Sequence, residues 1–306
     1  MKIAIIGTGG VGGYFGGRLA LHGHDVTFLA RGDHKAAIDR QGLQVKSVLG
    51  DFEVNPAKTV DDISEMGKSD LILIAVKAWQ LKEIVTKLEP LVDDSTLVIP
   101  LLNGVDALQE LQTGITQKNL LGGLCRIISQ IESPGVINHF AVEPSITLGE
   151  LENKPTPRLE ELQKEFEAAG IKTHVSEHIQ DELWKKFIMI CTGGLLAVTR
   201  SNYGEVLGND TTRKMLTGLM QEIHQLSLAI GLNIDYGYVE ETLVFLDKMD
   251  PKSTASMSRD IWDGKPSELD YLNGAVVRLA DQYGVEVPIN QFIYTSLILM
   301  EEKARR

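Results

Sequence analysis

Hydrophobic and polar positions follow two different patterns along the 306 residues. Up to about residue 175, short apolar runs of strand type alternate with helical stretches. Residues 2–6 form the first such run, 14–21 read as a helix and 25–30 as a second strand. Residues 43–54 predict two short strands around Gly50-Asp51. Residues 71–76 and 96–102 are continuously apolar, as expected of strands covered on both faces. Further strands are predicted within 120–124, 135–138, 145–148 and 171–175, with an amphipathic helix over 157–169 closed by Gly170. After Ser176 strand-type runs nearly vanish. Helical periodicity marks 179–198, 211–230, 239–248, 267–283 and 291–305, punctuated by Gly231, Gly284 and Pro288. With the G-x-G-x-x-G at 7–12 between the first strand and helix, the pattern predicts an α/β chain with a Rossmann-type dinucleotide-binding domain over 1–177. An all-α C-terminal domain follows over 178–306.

Composition narrows the function classes. The length of 306 residues makes two domains the default, and a hydrophobic content of 43% is ample for a core. No apolar run approaches the length of a membrane span, and the first residues read as a strand rather than an export signal. Cys125 and Cys191 are the only cysteines, which implies no disulfide framework and fits a reducing cytoplasm. A net charge of −12 with no basic stripe argues against nucleic acid. The seven histidines look dispersed: His22 and His24 flank one turn, and His174 and His178 share no predicted helix, so no metal site is expected.

The first strand runs directly into Gly7, Thr8, Gly9, Gly10, Val11 and Gly12, a G-x-G-x-x-G between a strand and a helix. That context turns a weak motif into a dinucleotide turn. Gly7 permits the sharp bend, Gly9 admits a pyrophosphate and Gly12 lets the helix lie close to the strand. The helix start offers free N–H groups to the phosphates. The second strand ends at Arg31, with no acid before Asp33. An acid there would bind a ribose 2′-hydroxyl, whereas a guanidinium fork suits a 2′-phosphate, so NADP is favoured over NAD.

Three more groups fall where a pocket is expected. Lys77 follows one apolar strand and Asn103-Gly104 another; on spacing alone, a solvated lysine and a plain turn compete with any role in binding. Trp184-Lys185-Lys186-Phe187 lies on the first helix of the second half. A lysine beside its apolar face is open to partial desolvation, which lowers a pKa and suits proton donation, although adjacent lysines are commonly surface residues. Ser256-Met257-Ser258-Arg259-Asp260 and the stretch from Lys265 to Gly274 complete the set.

Taken together, GTGGVGG at 7–13, Arg31, Val76 to Gln80, Asn103-Gly104, Trp184-Lys185-Lys186, Ser256 to Asp260 and Glu268 to Gly274 resemble the ketopantoate reductase (2-dehydropantoate 2-reductase) family nearly end to end. The resemblance implies NADPH-dependent reduction of ketopantoate to pantoate, a step towards pantothenate and coenzyme A. By position it makes Lys186 the general acid and Glu268 its catalytic partner. Asn103, Lys186, Ser256 and Glu268 would contact substrate, and Lys77 and Asn103 would lie on the cofactor side. The implied partner is a small 2-keto acid, acted on by a monomer or homodimer. Where the family often carries asparagines four and eight residues after the lysine, this chain has Ile190 and Gly194; helical spacing would put both on the face of Lys186. A further polar position, often Asn, matches Ser253. These departures open two alternatives: a broader 2-hydroxy-acid dehydrogenase, and an NADP(H) sensor without turnover, which would need neither Lys186 nor Glu268.

Overall fold

A computed structural model describes residues 1–306. The chain forms two compact units, one of Met1–Leu102 and Ala107–Ile179, the other of Asn103–Asp106 and Gln180–Arg306. The short excursion at 103–106 was not legible as a boundary in the sequence. No helix is long and apolar enough to cross a membrane.

The first unit runs β1 (Lys2–Ile6), α1 (Gly10–Leu21), β2 (Asp25–Leu29), α2 (Gly32–Gln41), β3 (Leu43–Ser47), β4 (Phe52–Val54), β5 (Lys58–Val60) and β6 (Leu71–Ile74). It continues with α3 (Leu81–Leu88), β7 (Leu97–Pro100), α4 (Ala107–Leu111), β8 (Gly122–Ser133), β9 (Val136–Gly149), α5 (Pro157–Ala168) and β10 (Lys172–Val175). Five strands form a parallel sheet in the order β5-β2-β1-β6-β7. Every residue of β6 is buried, as its unbroken apolar run predicts for an inner parallel strand. Chain order reverses between β1 and β6, and ligands of open α/β sheets sit at the carboxyl ends beside such a switch point.

The sequence pattern suggests one open sheet, and the structure contains two. The second has the order β10-β9-β3-β4, with β8 paired antiparallel to β9. The separate apolar runs within 120–148 are only the buried parts of this one long hairpin. Its exposed positions, such as Arg126, Gln130 and Glu132, carry no apolar signal. The short edge strand β5 escaped notice for the same reason. Helix α1 touches both sheets through its glycines. A Cβ at Gly16 would lie 2.7 Å from Ile5 Cγ1, and one at Gly13 would lie 2.7 Å from Ile137 Cγ1 on β9. Each helical glycine costs about 1 kcal/mol against alanine, so close packing is what offsets it here.

The second unit is entirely helical: α6 (Ile179–Ile190), α7 (Gly193–Thr199), α8 (Tyr203–Leu207), α9 (Asp210–Ala229), α10 (Tyr238–Asp247), α11 (Ser256–Trp262), α12 (Asn273–Tyr283) and α13 (Pro288–Ala304). Its core gathers Trp184, Phe187, Ile188, Leu195, Leu219, Met220, Ile223 and Ile293, among others. Asn209 caps α9 by accepting from the Thr211 and Thr212 N–H groups.

Two helices predicted as continuous are interrupted. The segment 179–198 breaks after Ile190, where the Thr192 hydroxyl donates to the Met189 carbonyl and Gly193-Gly194 follow. The segment 267–283 begins as a 3₁₀ turn, Leu269–Tyr271, before α12 starts at Asn273.

Candidate active site

The turn after β1 is shaped by its glycines. Gly7 has φ +103°, and a Cβ there would lie 2.8 Å from Val76 Cγ1. At Gly12 a Cβ would lie 2.0 Å from the Gly7 carbonyl oxygen, so only glycine lets α1 approach the turn. Thr8 is locked because its N–H and its hydroxyl both donate to the Leu29 carbonyl, at 3.1 and 2.8 Å. A Cβ at Gly9, by contrast, would meet nothing within 4 Å. No side chain caps the start of α1, and its first turn holds no acid. An open position over free helix N–H groups is the cradle that a pyrophosphate requires, so these residues fit a dinucleotide.

Around that turn, Gly10 faces β8, where its Cβ would lie 2.5 Å from the Ser129 carbonyl oxygen. The buried Ser129 hydroxyl beside it has no hydrogen-bond partner. Val11 is half-buried against the core. Arg31 is exposed, stands at the N-cap of α2 and has no ion-pair partner. Lys77 follows β6; its N–H donates to Gln80 Oε1 at 3.1 Å, and its Nζ lies 5.7 Å from the centroid of the Trp79 ring. Sequence reasoning missed His34. Its Nε2 is 2.9 Å from the Thr8 carbonyl oxygen, and its Nδ1 accepts from the Gly135 N–H at 3.0 Å. Burial pushes this imidazole below its ordinary pKa, against the Thr8 hydrogen bond. A neutral ring with the proton on Nε2 satisfies both contacts and ties the turn to the β8–β9 connection. Nothing in the sequence marks this link, because Thr8, His34 and Gly135 lie far apart in the chain.

In the second unit Asn103 Nδ2 donates to Glu268 Oε2 at 2.9 Å, and Glu268 is only 4% exposed. The next residue, Gly104, has φ +94°, and a Cβ there would lie 2.8 Å from the Tyr271 carbonyl oxygen. The chain therefore bends tightly against the segment that follows Glu268. Asp106 pairs with Arg278 at 3.0 Å; burial raises its carboxyl pKa, and Arg278 opposes the rise. The two adjacent lysines differ. Lys185 pairs with Glu182 at 2.8 Å, a contact that raises its pKa. Lys186 is half-buried and has no ion-pair partner. Ser256 is exposed at the first position of α11, whereas Ser258 is buried and donates to the Ala255 carbonyl.

Ile190, the last residue of α6, keeps its place four residues after Lys186, but Gly194 does not continue that face as unbroken helical spacing had suggested. The helix ends between them. Ile190 packs against the apolar core, and a Cβ on Gly194 would lie 2.3 Å from Asn273 Oδ1 and 2.7 Å from Ile293 Cγ2. Asn273 and Asn290 emerge as structural residues whose role the sequence did not disclose. Asn273 Nδ2 donates to the Cys191 carbonyl and to Asn290 Oδ1, and Asn290 Nδ2 donates to Glu222 Oε2. This buried network anchors the break between α6 and α7. Cys125 and Cys191 form no disulfide and are both buried, and burial pushes the Cys191 thiol well up.

Two matches bear on this arrangement. Residues 3–153 match the family Ketopantoate reductase PanE/ApbA, and residues 178–301 match the C-terminal region of the same family. The chain belongs to the ketopantoate reductase family. It is 30% identical to a 2-dehydropantoate 2-reductase of Nostoc sp., over 99% of this chain and 96% of that one. It is also 30% identical to an uncharacterised oxidoreductase, YkpB, of Bacillus subtilis, over 98% and 99% of the two chains. A D-mandelate dehydrogenase solved with NADH and anilino(oxo)acetate superposes with a TM-score of 0.90 at 25% identity, covering 100% of this chain and 99% of that one. The fold and the oxidoreductase character are thus those of a dinucleotide-dependent reductase family.

Proposed function

We propose that this protein reduces 2-dehydropantoate (ketopantoate) to pantoate with NADPH. The observation that carries the reading is the Asn103–Glu268 hydrogen bond: two polar side chains far apart in sequence meet, with the carboxylate buried. Unlike the wholly interior Asn290–Glu222 pair, this one has a half-buried member, Asn103, so its polar atoms are within reach of a hydroxylated keto acid.

When bound, the nicotinamide supplies a hydride to the C2 carbonyl carbon. The residues of the chain do the rest. Gly7 to Gly12 hold the pyrophosphate, with Thr8 fixed by Leu29 and His34. Arg31, exposed and in no ion pair, takes the 2′-phosphate through charge-assisted hydrogen bonds, and Lys77 stands on the same side of the chemistry. Asn103 orients the carbonyl. Ser256 donates to the substrate carboxylate, and Glu268 accepts from its hydroxyl. Lys186 gives a proton from Nζ to the carbonyl oxygen as the alcohol forms. The ion pair to Glu182 occupies Lys185 and leaves Lys186 as the ammonium free to do this.

A second reading, a broader 2-keto-acid reductase, is supported by two particular residues. Ile190 offers only apolar surface, and Gly194 is closed by Asn273, so neither replaces an amide donor for the ketopantoate hydroxyl. A site that must hydrogen-bond a hydroxyl rejects an analogue lacking it by roughly 10⁴–10⁵, whereas an apolar pocket discriminates by about 10². Competitive kinetics at saturating NADPH with ketopantoate and 2-ketoisovalerate separate the two. Turnover of both acids within about 100-fold in kcat/KM is expected from the broad reading. A preference for ketopantoate above about 10⁴ eliminates it. Absence of NADPH oxidation with any 2-keto acid overturns both and leaves a nucleotide sensor.

A further inference from the structure

The amino ends of the parallel strands carry a cluster that the reductase reading does not use. His22 closes α1, Gly23 turns the chain with φ +101°, and His24 follows directly before β2. The two imidazole centroids are 5.5 Å apart. Glu165, on α5, brings its Oε2 to 3.3 Å from His24 Nε2. One donor atom from each of the three residues lies within 4.8 Å of the others. The His24 side chain is only 8% exposed, and its Nε2 is buried without a hydrogen-bond partner of proper geometry. Its Nδ1 is occupied by the Met1 amino group at 3.3 Å.

A carboxylate and a second imidazole stand beside Nε2. Ligation through Nε2 moves the ring proton to Nδ1, and the Met1 amino group turns away from it. Two imidazoles and a carboxylate form a donor set for a borderline-soft divalent ion. We propose that His22, His24 and Glu165 bind a divalent transition ion such as Zn²⁺, with water in the fourth position.

Zinc holds nitrogen and oxygen ligands at about 2.0–2.2 Å, so tetrahedral donors sit about 3.4 Å apart. His24 and Glu165 already meet that spacing, and His22, exposed on its turn, has the freedom to close. The site lies at the opposite end of β2 from Arg31, and the five residues of that strand alone span about 17 Å at 3.3 Å per residue. Its role is therefore a clip and not a part of the chemistry. It joins the end of α1 to a helix far along the chain, and a cross-link that closes a long loop removes much unfolded-state entropy. An ion that binds only the folded chain stabilises it by mass action.

The test uses the full chain without an affinity tag. Zn²⁺ is titrated in competition with a chromophoric chelator, and melting is followed with and without Zn²⁺. One equivalent should bind, and Zn²⁺ should raise the Tm. His22→Ala and Glu165→Gln should each weaken binding by at least about tenfold, the loss seen even for residues that only support a ligand, and should abolish the Tm shift. His22 is exposed, so its variant is not expected to unfold the chain, and far-UV circular dichroism checks this. Wild-type affinity no tighter than that of both variants overturns the site. Stoichiometric binding that neither substitution weakens also overturns it, by placing the ion elsewhere.

Discussion

The glycine turn of the first unit and the polar cluster of the second are assembled in opposite ways. Residues 7 to 12 are contiguous: Gly7 makes the bend, Gly9 leaves an open position and Gly12 lets α1 approach the Gly7 carbonyl, while Gly10 lies against Ser129 of β8. Asn103, Lys186, Ser256 and Glu268 come from one loop and three separate segments, and only tertiary packing relates Asn103 to Glu268. A cofactor common to many enzymes is held by backbone groups, which a short motif can specify. A particular substrate needs side chains, which the fold must collect. The first kind of site is therefore readable as a motif, and the second only as a list of candidates.

The largest expected effect tests the second region. Lys186→Ala should lower kcat by about 10²–10⁴, the usual contribution of a general acid, with the NADPH Kd nearly unchanged. Lys185→Ala should be mild, because it removes a partly exposed ion pair with Glu182. Equal effects of the two substitutions in steady-state kinetics would break the contrast drawn between these neighbours.

Next in size is the cofactor side. Arg31→Ala should weaken NADPH by about 1.5–3 kcal/mol for each charged hydrogen bond lost and leave NADH almost untouched. Fluorescence titration of both cofactors measures this, and parallel losses would remove the 2′-phosphate from the account. The NADH in the related D-mandelate dehydrogenase structure makes this the sharper of the cofactor questions.

Gly194→Ala should cost about 1–3 kcal/mol of stability, because its Cβ would collide with Asn273 in a packed interior. Chemical denaturation checks this. A neutral result would mean that the position has room, and would return it to the list of pocket residues.

The smallest effect concerns pH and the first unit. His34 has its pKa lowered below the ordinary 6.5 by burial, so the unfolded chain binds the proton more readily than the folded one. The His34 contribution to stability is thus fully present above about pH 6.5 and is lost as pH falls from there through the lower folded value. His24 acts in the same direction. Tm measured from pH 7.5 to 5 should fall, and His34→Gln should flatten part of that slope. An unchanged slope would remove His34 from the support of the Thr8 carbonyl.

Much of the fold was legible because burial leaves a period in the sequence. Buried inner strands such as β6 read as unbroken apolar runs, and the change of texture after Ser176 marked the helical half. The second sheet was not legible as a unit, since exposed polar residues such as Arg126, Gln130, Glu132 and Glu143 interrupt the apolar pattern of the β8–β9 hairpin. The break after Ile190 was missed because apolar periodicity persists across it, while the hydroxyl of Thr192 and two glycines end the helix.

By itself the sequence determined the turn chemistry, the class of each half and the residue types available for reduction. Those follow from backbone sterics and from the periods of strand and helix, which act over a few residues. Tertiary structure alone decided that Glu182 occupies Lys185 and not Lys186, and that Asn103 meets Glu268. It also decided that Gly194 is filled by Asn273 and that two histidines face Glu165. Each of these depends on which groups compete for one small volume, and that competition exists only once distant segments are packed together.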